Sequence, residues 1–147
     1  MNTVKDILEE KGKQVWSVEP KTSLIDVLKK LRSHNVGALL VVEDGEVMGV
    51  ISERDFAYRI AEKNTCPLEE SVSTWMTSKV IAVSSGTTIN ECMQLMSREH
   101  IRHLPVVDDG KLVGLISIGD VVRAVISGQK STILGLENYI LSQRLTN

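Results

Sequence analysis

Two short stretches of the sequence carry the residues best suited to binding chemistry. Residues 49–55 read Gly-Val-Ile-Ser-Glu-Arg-Asp, and residues 114–120 read Gly-Leu-Ile-Ser-Ile-Gly-Asp. In both, an apolar run is followed by a serine and, three residues later, by an aspartate. A helix N-terminus offers free N–H groups that favour an anion, and a carboxylate accepts hydrogen bonds from hydroxyl groups. The two stretches therefore indicate sites for a ligand with hydroxyl and anionic groups.

The same spacing also suits a plain helix start. A serine at the N-cap and an acidic residue three positions later form a capping box, in which the cap stabilises the helix by about 1 kcal/mol. Duplication does not separate the two interpretations, because a structural cap is copied together with the repeat that contains it. From local spacing alone, ligand binding and helix capping both stay open for Ser52, Asp55, Ser117 and Asp120.

The elements that must position these stretches also occur twice. A shift of 65 residues aligns residues 15–55 with residues 80–120 without a gap, and 12 of the 41 aligned pairs are identical. Ordinary composition would give roughly two or three identities by chance. Each copy predicts a strand, a helix, two strands joined by an Asp-Gly turn, and a helix. The expected fold is therefore α/β (α+β), with tandem β-α-β-β-α repeats related by a pseudo-two-fold axis.

The boundaries follow from breaks in these patterns. The expected parts, in chain order, are a first repeat over 1–63, a linker over 64–70, a second repeat over 71–128 and a C-terminal helical tail over 129–147. The second repeat is expected to begin with a strand over 80–83 and to end with a helix from Ser117 to about Ile126. The tail has no counterpart after the first repeat, and its apolar positions over 131–145 follow a helical period.

Composition narrows the possible functions of this 147-residue chain. The net charge of −2 argues against nucleic-acid binding driven by overall charge, and 3% aromatic residues leave no stacking platform for single strands. No apolar run approaches the ~18 residues that span a membrane, and the N-terminus lacks the apolar core of a signal peptide. Cys66 and Cys92 show no CxxC spacing. We expect two reduced thiols in a cytoplasmic protein and no metal site.

Several further motifs carry a family resemblance. They are Met76-Thr77 before the second set of strands, the run His103-Leu104-Pro105-Val106-Val107, the paired Asp-Gly hairpins and the doubled Gly-x-x-Ser-x-x-Asp. From about Val4 to Ile126, the chain resembles a cystathionine-β-synthase (CBS) domain pair, or Bateman module, of the stand-alone kind. The resemblance implies binding of AMP, ADP or ATP, or of NAD or S-adenosylmethionine, in clefts between the repeats. It also implies a homodimer without catalytic residues that regulates an unknown target protein in trans.

The resemblance also implies roles for particular residues. The two aspartates would take ribose hydroxyls, the two serines and nearby basic side chains would assist the phosphates or the ribose, and backbone groups of short strands would read the base. The candidate residues are Ser52, Arg54, Asp55, Val15, Trp16, Val80, Ile81, Arg102, His103, Ser117, Gly119 and Asp120. A core position is an alternative for Trp16, and a solvated helix end is an alternative for the basic cluster over 98–103.

The flanks of the two stretches differ. Arg102 and His103 take the places that Gly37 and Ala38 hold in the first repeat, and Arg54, which directly precedes Asp55, is matched by Gly119. Arg102 is able to bind phosphate through two parallel hydrogen bonds. Gly119 would leave its surroundings more open. The sequence therefore predicts two unequal clefts.

Three other functional classes are weighed against the sensor. A protein-interaction or dimerisation module with vestigial clefts would show no binding of adenosine compounds. A nucleotide hydrolase would turn its ligand over. A nucleic-acid binder acting through residues 98–103 would show steep salt dependence. No membrane association is expected.

Overall fold

The structure, a computed structural model, describes residues 2–146, with the backbone alone for residues 144–146. Within this range there are five α-helices, five β-strands and one short 3₁₀ helix over Val72–Thr74. The helices are α1 (Val4–Lys11), α2 (Leu24–His34), α3 (Glu53–Lys63), α4 (Ile89–Glu99) and α5 (Ile118–Thr146). The strands are β1 (Ser17–Val18), β2 (Ala38–Glu43), β3 (Glu46–Ser52), β4 (His103–Asp108) and β5 (Lys111–Ser117).

The strands form two small sheets. In the first, β1 runs parallel to β2 and β2 runs antiparallel to β3, with Ala38 opposite Ser52 and a bulge between Val41 and Val42. The second sheet consists of β4 and β5. Both hairpins turn on Asp-Gly pairs whose residues all have positive φ, between 50° and 80°. This geometry suits a two-residue turn with a primed conformation and confirms the predicted hairpins.

Side chains cap α2, α3 and α4, and the cap of α3 is the one expected at Ser52. Ser23 accepts a hydrogen bond from the N–H of Asp26 at the start of α2. Thr88 and Glu91 form a capping box at the start of α4, and Ser52 and Asp55 form one at the start of α3. These caps fix the first turn of each helix, and in α3 this turn carries the candidate carboxylate.

The chain divides into two compact units that do not coincide with the two repeats. One unit comprises residues 13–82 and 105–115. Its core contains side chains of α2, β2, β3, α3 and the 3₁₀ segment, including Phe56 and the fully buried Trp75. The other unit comprises, of the described residues, 2–12, 83–104 and 116–146. In it, α5 packs against α4 and α1, and α1 buries Val4, Ile7 and Leu8.

Two expectations about secondary structure are wrong. Residues 80–82 adopt no regular strand, although the matching segment of the first repeat ends in β1. In the first repeat, the N–H of Leu40 in β2 donates a hydrogen bond to the carbonyl of Trp16 and so pairs β2 with β1. The residue that matches Leu40 in the second repeat is Pro105. Proline has no N–H to donate. The helix expected to end near Ile126 instead continues to Thr146, so the tail is part of α5.

Candidate functional site

The first motif forms the start of α3. The carboxylate of Asp55 accepts hydrogen bonds through Oδ2 from the backbone N–H of Ser52 at 2.9 Å and from the Ser52 hydroxyl at 3.0 Å. The N–H of Asp55 in turn donates to Ser52 Oγ at 3.2 Å. Within the described part of the chain, the other carboxylate oxygen, Oδ1, accepts no hydrogen bond, and the residue is half-buried. Asp55 is thus both a capping residue and an acceptor with an available oxygen.

The second motif has the same cap but different surroundings. Asp120 accepts from the N–H of Ser117 at 2.8 Å, and the N–H of Asp120 donates to Ser117 Oγ at 3.2 Å. In addition, Lys11 Nζ lies 2.7 Å from Oδ2, and an Arg123 guanidinium nitrogen lies 2.6 Å from Oδ1. Asp120 is only 6% exposed. Both of its oxygens are therefore engaged by cations of the chain itself.

The electrostatics of Asp120 reflect this clamp. Burial raises the pKa of this carboxyl, but the hydrogen bond and charge of Lys11 and the N–H of Ser117 outweigh burial and hold the pKa below its usual range. The carboxylate is charged at neutral pH and attracts both cations. Lys11 ends α1, so its contact joins the N-terminal helix to the first turn of α5.

The residues directly before the two aspartates, Arg54 and Gly119, do not behave as their types suggested. Arg54 turns onto its own helix, where Nε donates to the Tyr58 hydroxyl at 2.9 Å and the guanidinium lies 4.9 Å from the ring centre. The expectation that Gly119 leaves its surroundings open is wrong. A guanidinium nitrogen of Arg123 lies 3.4 Å from the position that a Cβ at Gly119 would occupy.

The basic pair before β4 is placed beside the second motif. The carbonyl of Arg102 accepts the N–H of Ile118, the first residue of α5, just as the carbonyl of Gly37 accepts the N–H of Glu53 at the start of α3. The side chain of Arg102 is exposed, and His103 is half-buried at the start of β4. Arg102 thus lies at a helix N-terminus, where an anion is favoured.

The candidates for base recognition also differ between the repeats. In the first repeat, Trp16 is half-buried, packs against the core and stacks on His34 with ring centres 3.5 Å apart. Its carbonyl is occupied by the N–H of Leu40, at 3.4 Å, while Val15 lies outside β1. The ring of Trp16 therefore has a partner within the chain, which favours the core interpretation.

The second repeat leaves the corresponding backbone unpaired. Val80 and Ile81 are half-buried and lie outside the strands, and their N–H and carbonyl groups form no hydrogen bond with other described residues. Three residues before Val80, Thr77 exchanges two backbone hydrogen bonds with Val50 of β3, at 2.9 and 3.0 Å. Val80 and Ile81 therefore offer donors and acceptors to a ligand and belong to the same compact unit as Asp55.

Gly49 has a structural reason of its own. A Cβ at this position would lie 2.6 Å from Met76 Sδ and 2.9 Å from the carbonyl oxygen of Thr77. The glycine therefore allows the Met76-Thr77 segment to pack directly on β3. This close packing explains the glycine at position 49, and no nearby ligand is needed to explain it.

Sequence reasoning missed several residues. Lys11 and Arg123 form ion pairs with Asp120. Only the contact of Arg123 could have been predicted, because Arg123 lies three residues after Asp120 on the same helix. A groove of about 500 Å³ beside β1 and α2 was also missed. None of the twelve candidates lines it, and its lining residues are Ser17, Val18, Glu19, Thr22, Asp26, Lys30 and Val42.

Two other kinds of feature are absent from the described residues. No group of three or more His, Cys, Asp or Glu side chains is placed to hold a metal ion. No helix within residues 2–146 has both the length and the apolar composition needed to cross a bilayer.

Comparison with known proteins decides the family. The family model described as the CBS domain matches this chain twice, over residues 3–62 and 72–127. The chain belongs to the CBS-domain family. An Arabidopsis thaliana relative named CBS domain-containing protein CBSX3, mitochondrial, is 37% identical over 148 aligned positions, covering 94% of this chain and 71% of the relative. The CBS-domain protein ATU1752 from Agrobacterium tumefaciens, a solved structure, is 39% identical with a TM-score of 0.80, covering 83% of this chain and 98% of its own.

Two further solved CBS structures contain ligands. CBSX2 was crystallised in complex with AMP, and it is 29% identical with a TM-score of 0.69, covering 88% of this chain and 99% of its own. The CBS pair of protein MJ0100 was crystallised with 5′-methylthioadenosine and S-adenosyl-L-methionine. It is 28% identical with a TM-score of 0.74, covering 86% of this chain and 97% of its own. The predicted fold and the predicted family are thus confirmed.

Proposed function

We propose that this CBS protein is a non-catalytic sensor of adenine nucleotides that regulates another protein. Three observations support the proposal: membership of the family, the adenosine compounds bound by two structural neighbours, and the available oxygen of Asp55 at a helix start. The last carries it most directly. A ribose presents two hydroxyl donors on one edge, and a carboxylate held by its cap is an acceptor of matching chemistry.

The remaining candidates take supporting roles in this proposal. The backbone of Val80 and Ile81 reads the base, because its polar groups are unpaired within the described chain. Arg102, whose side chain is exposed beside the N-terminus of α5, is the strongest candidate for a phosphate at the second motif. Arg54 is a weaker one, because its guanidinium is engaged by Tyr58.

The mechanism is a shift between populations. A nucleotide that contacts more than one element favours the arrangement in which those elements are correctly placed, by as much as its affinity for the arrangements differs. The favoured arrangement then changes the surface offered to the regulated protein. No covalent step is needed, and location in the cytoplasm stays a prediction.

A binding screen tests the sensor proposal. The protein is melted with AMP, ADP, ATP, NAD and S-adenosylmethionine, with GMP as the control for base recognition. A ligand at about 100 times its dissociation constant adds about 2.7 kcal/mol to stability. The expected result is stabilisation by at least one adenosine compound, which is recovered intact after long incubation. No shift with any of the five overturns the proposal, and turnover of the ligand indicates an enzyme.

A second candidate function, homodimerisation, is favoured by the exposed apolar face of α5. Ile126, Ile133 and Ile140 recur every seven residues and are 46%, 57% and 52% exposed. Leu136 lies on the same face and is 58% exposed. Apolar residues at this spacing favour pairing with a second helix. We propose a second copy of the chain as the partner.

The oligomeric state tests this second candidate. The double substitution Ile133→Glu with Ile140→Glu places two charges on the apolar face, and Ser131→Glu with Asn138→Glu places them on the opposite face. Light scattering is expected to show a dimer for the wild type and the control and a monomer for the first variant. A monomeric wild type, or a dimer that survives the first variant, contradicts the proposal.

A further inference from the structure

The exposed apolar face of α5 extends along most of the helix as a continuous stripe. Six exposed residues form the stripe, and they are Ile118, Val122, Ile126, Ile133, Leu136 and Ile140. At about 3.6 residues per turn, they all lie on one side of the helix. The buried residues Asp120, Val121 and Ala124 lie on the roughly opposite side, and α5 packs against α4 and α1. The stripe is therefore separate from the face that holds α5 in its own chain.

The residue types along the stripe are those of a two-stranded coiled coil. Counted in sevens, one seam position is isoleucine at 126, 133 and 140, and the other is Val122, Gln129 and Leu136 in turn. β-Branched residues at the first position with leucine at the second favour a parallel pair of helices. Gln129, which is exposed, is the one polar residue of the seam between Val122 and Ile140.

Gln129 distinguishes the two directions in which a second α5 could run. In a parallel pair in register, Gln129 lies against the partner's Gln129, and each amide both donates and accepts a hydrogen bond. In an antiparallel pair that covers the stripe from Val122 to Ile140, Gln129 lies against the partner's Ile133. Its amide would then be buried without a hydrogen-bond partner, which is costly. The seam therefore favours the parallel direction.

The charges beside the stripe favour the same direction. The antiparallel pair would be centred midway between Val122 and Ile140 and would bring Lys130 close to the partner's Lys130. Its compensating contact would join Arg123 to the partner's Glu137. The Arg123 guanidinium, however, is already paired with Asp120 at 2.6 Å. In the parallel pair no like charges meet across the seam.

We infer that two copies of the chain pair through a parallel, in-register coiled coil of their α5 helices, with Gln129 as the polar pair in the seam. This inference rests on the homodimer proposed above, and it specifies the direction and register of the contact. Because α5 begins directly after Ser117, the parallel pair places the second Ser-x-x-Asp motifs of both copies at the same end of the interface. An antiparallel pair would place them at opposite ends.

Disulfide crosslinking of the full chain tests the direction. Val122→Cys and Ile140→Cys are made separately in a Cys66→Ser background. Cys92 is kept, because burial raises the pKa of its thiol to about 11 and keeps it protonated. In a parallel pair each new thiol lies within disulfide reach of the same position in the partner. In the antiparallel pair the same two thiols would be about 27 Å apart along the helix axis.

Both variants are expected to form at least about fivefold more disulfide-linked dimer than Asn138→Cys, the matched control on the opposite face of α5. The two variants are then mixed, one carrying a tag that changes its mass, and no disulfide between positions 122 and 140 is expected. Such a mixed disulfide, or a dimer that forms neither kind of bond, overturns the inference and leaves the homodimer standing. A wild type that light scattering finds monomeric overturns both.

Gln129→Glu provides a second measurement, which tests the register. In the in-register pair the two new carboxylates face each other, so the dissociation constant of the dimer should rise at least about tenfold at neutral pH. Ser131→Glu, on the opposite face, is the control and should stay within about twofold of the wild type. An unchanged dissociation constant in Gln129→Glu would show that residue 129 lies outside the seam, and this too overturns the inference.

Discussion

The two Ser-x-x-Asp helix starts share a backbone geometry and differ in what surrounds their carboxylates. In both, the aspartate accepts the N–H of the serine three residues earlier, at 2.9 Å in α3 and 2.8 Å in α5. At Asp55 one oxygen stays available within the described chain, whereas at Asp120 Lys11 and Arg123 occupy both. The duplicated motif keeps its capping role in both copies, while residues outside the motif determine whether its carboxylate oxygens are already engaged.

The largest effect that separates the copies is expected in stability. Asp120→Asn should lower the free energy of unfolding by about 2–3 kcal/mol, because a buried group loses two charge-assisted hydrogen bonds. Asp55→Asn should cost about 1 kcal/mol or less, since an asparagine oxygen still accepts the N–H of Ser52. Urea denaturation of both variants measures the difference. Equal losses would show that the clamp on Asp120 contributes nothing.

Two glycines at different positions of the two copies, Gly49 and Gly119, should respond differently to substitution by alanine. Gly49→Ala should cost about 2 kcal/mol, since its Cβ would meet Met76 and the Thr77 carbonyl, which is fixed by hydrogen bonds to Val50. Gly119→Ala should be neutral or stabilise by up to about 1 kcal/mol, because residue 119 lies within a helix and its Cβ would meet the end of the flexible Arg123 side chain at 3.4 Å and the Ser117 hydroxyl at 3.6 Å. Thermal melts check both, and a stabilised Gly49→Ala would contradict the close packing at β3.

Acid should reduce the difference in the free energy of unfolding between the wild type and Asp120→Asn. The pKa of Asp120 is lowered from 3.8 in the folded chain, so its charged form contributes stability above about pH 3.8. That contribution is lost as the pH falls below 3.8 through the folded pKa. Urea titrations at pH 7 and at pH 3 should therefore give a smaller difference at the lower pH. A constant difference would mean that the ion pairs are not its source.

The smallest effect is expected at the two arginines. Arg123→Met should cost up to about 1 kcal/mol, because its partner is buried, although the guanidinium itself is largely exposed. Arg54→Met should cost less than about 0.5 kcal/mol, since its contacts with Tyr58 are on the surface. The reverse order in chemical denaturation would place the stronger electrostatic contact at the first motif.

Much of the fold follows from the sequence because its signals are local. The caps at Ser23, Ser52 and Thr88 and the turns at the two Asp-Gly pairs depend on residues within three positions of each other. Such short-range chemistry is readable from spacing. The duplication adds the order of the elements, and the family resemblance adds the candidate residues.

The features that the sequence did not predict depend mainly on contacts between residues far apart in the chain. Lys11 and Asp120 are 109 residues apart, and no local pattern connects them. Residues 80–82 form no strand because of Pro105, which lies outside that segment. The effect of Pro105 can be predicted only once the register of β1 on β2 is known. α5 continues past Ile126 through Gly128, although a glycine at this position commonly ends a helix. These features separate the two copies, and they are the ones that spacing does not encode.

A crystal structure of the protein grown with AMP tests the central claim most directly. The account predicts one AMP per chain, with a ribose hydroxyl within hydrogen-bond distance of Asp55 and with the Lys11–Asp120 ion pair intact. A ribose bound to Asp120, with Lys11 displaced from the carboxylate, would contradict it.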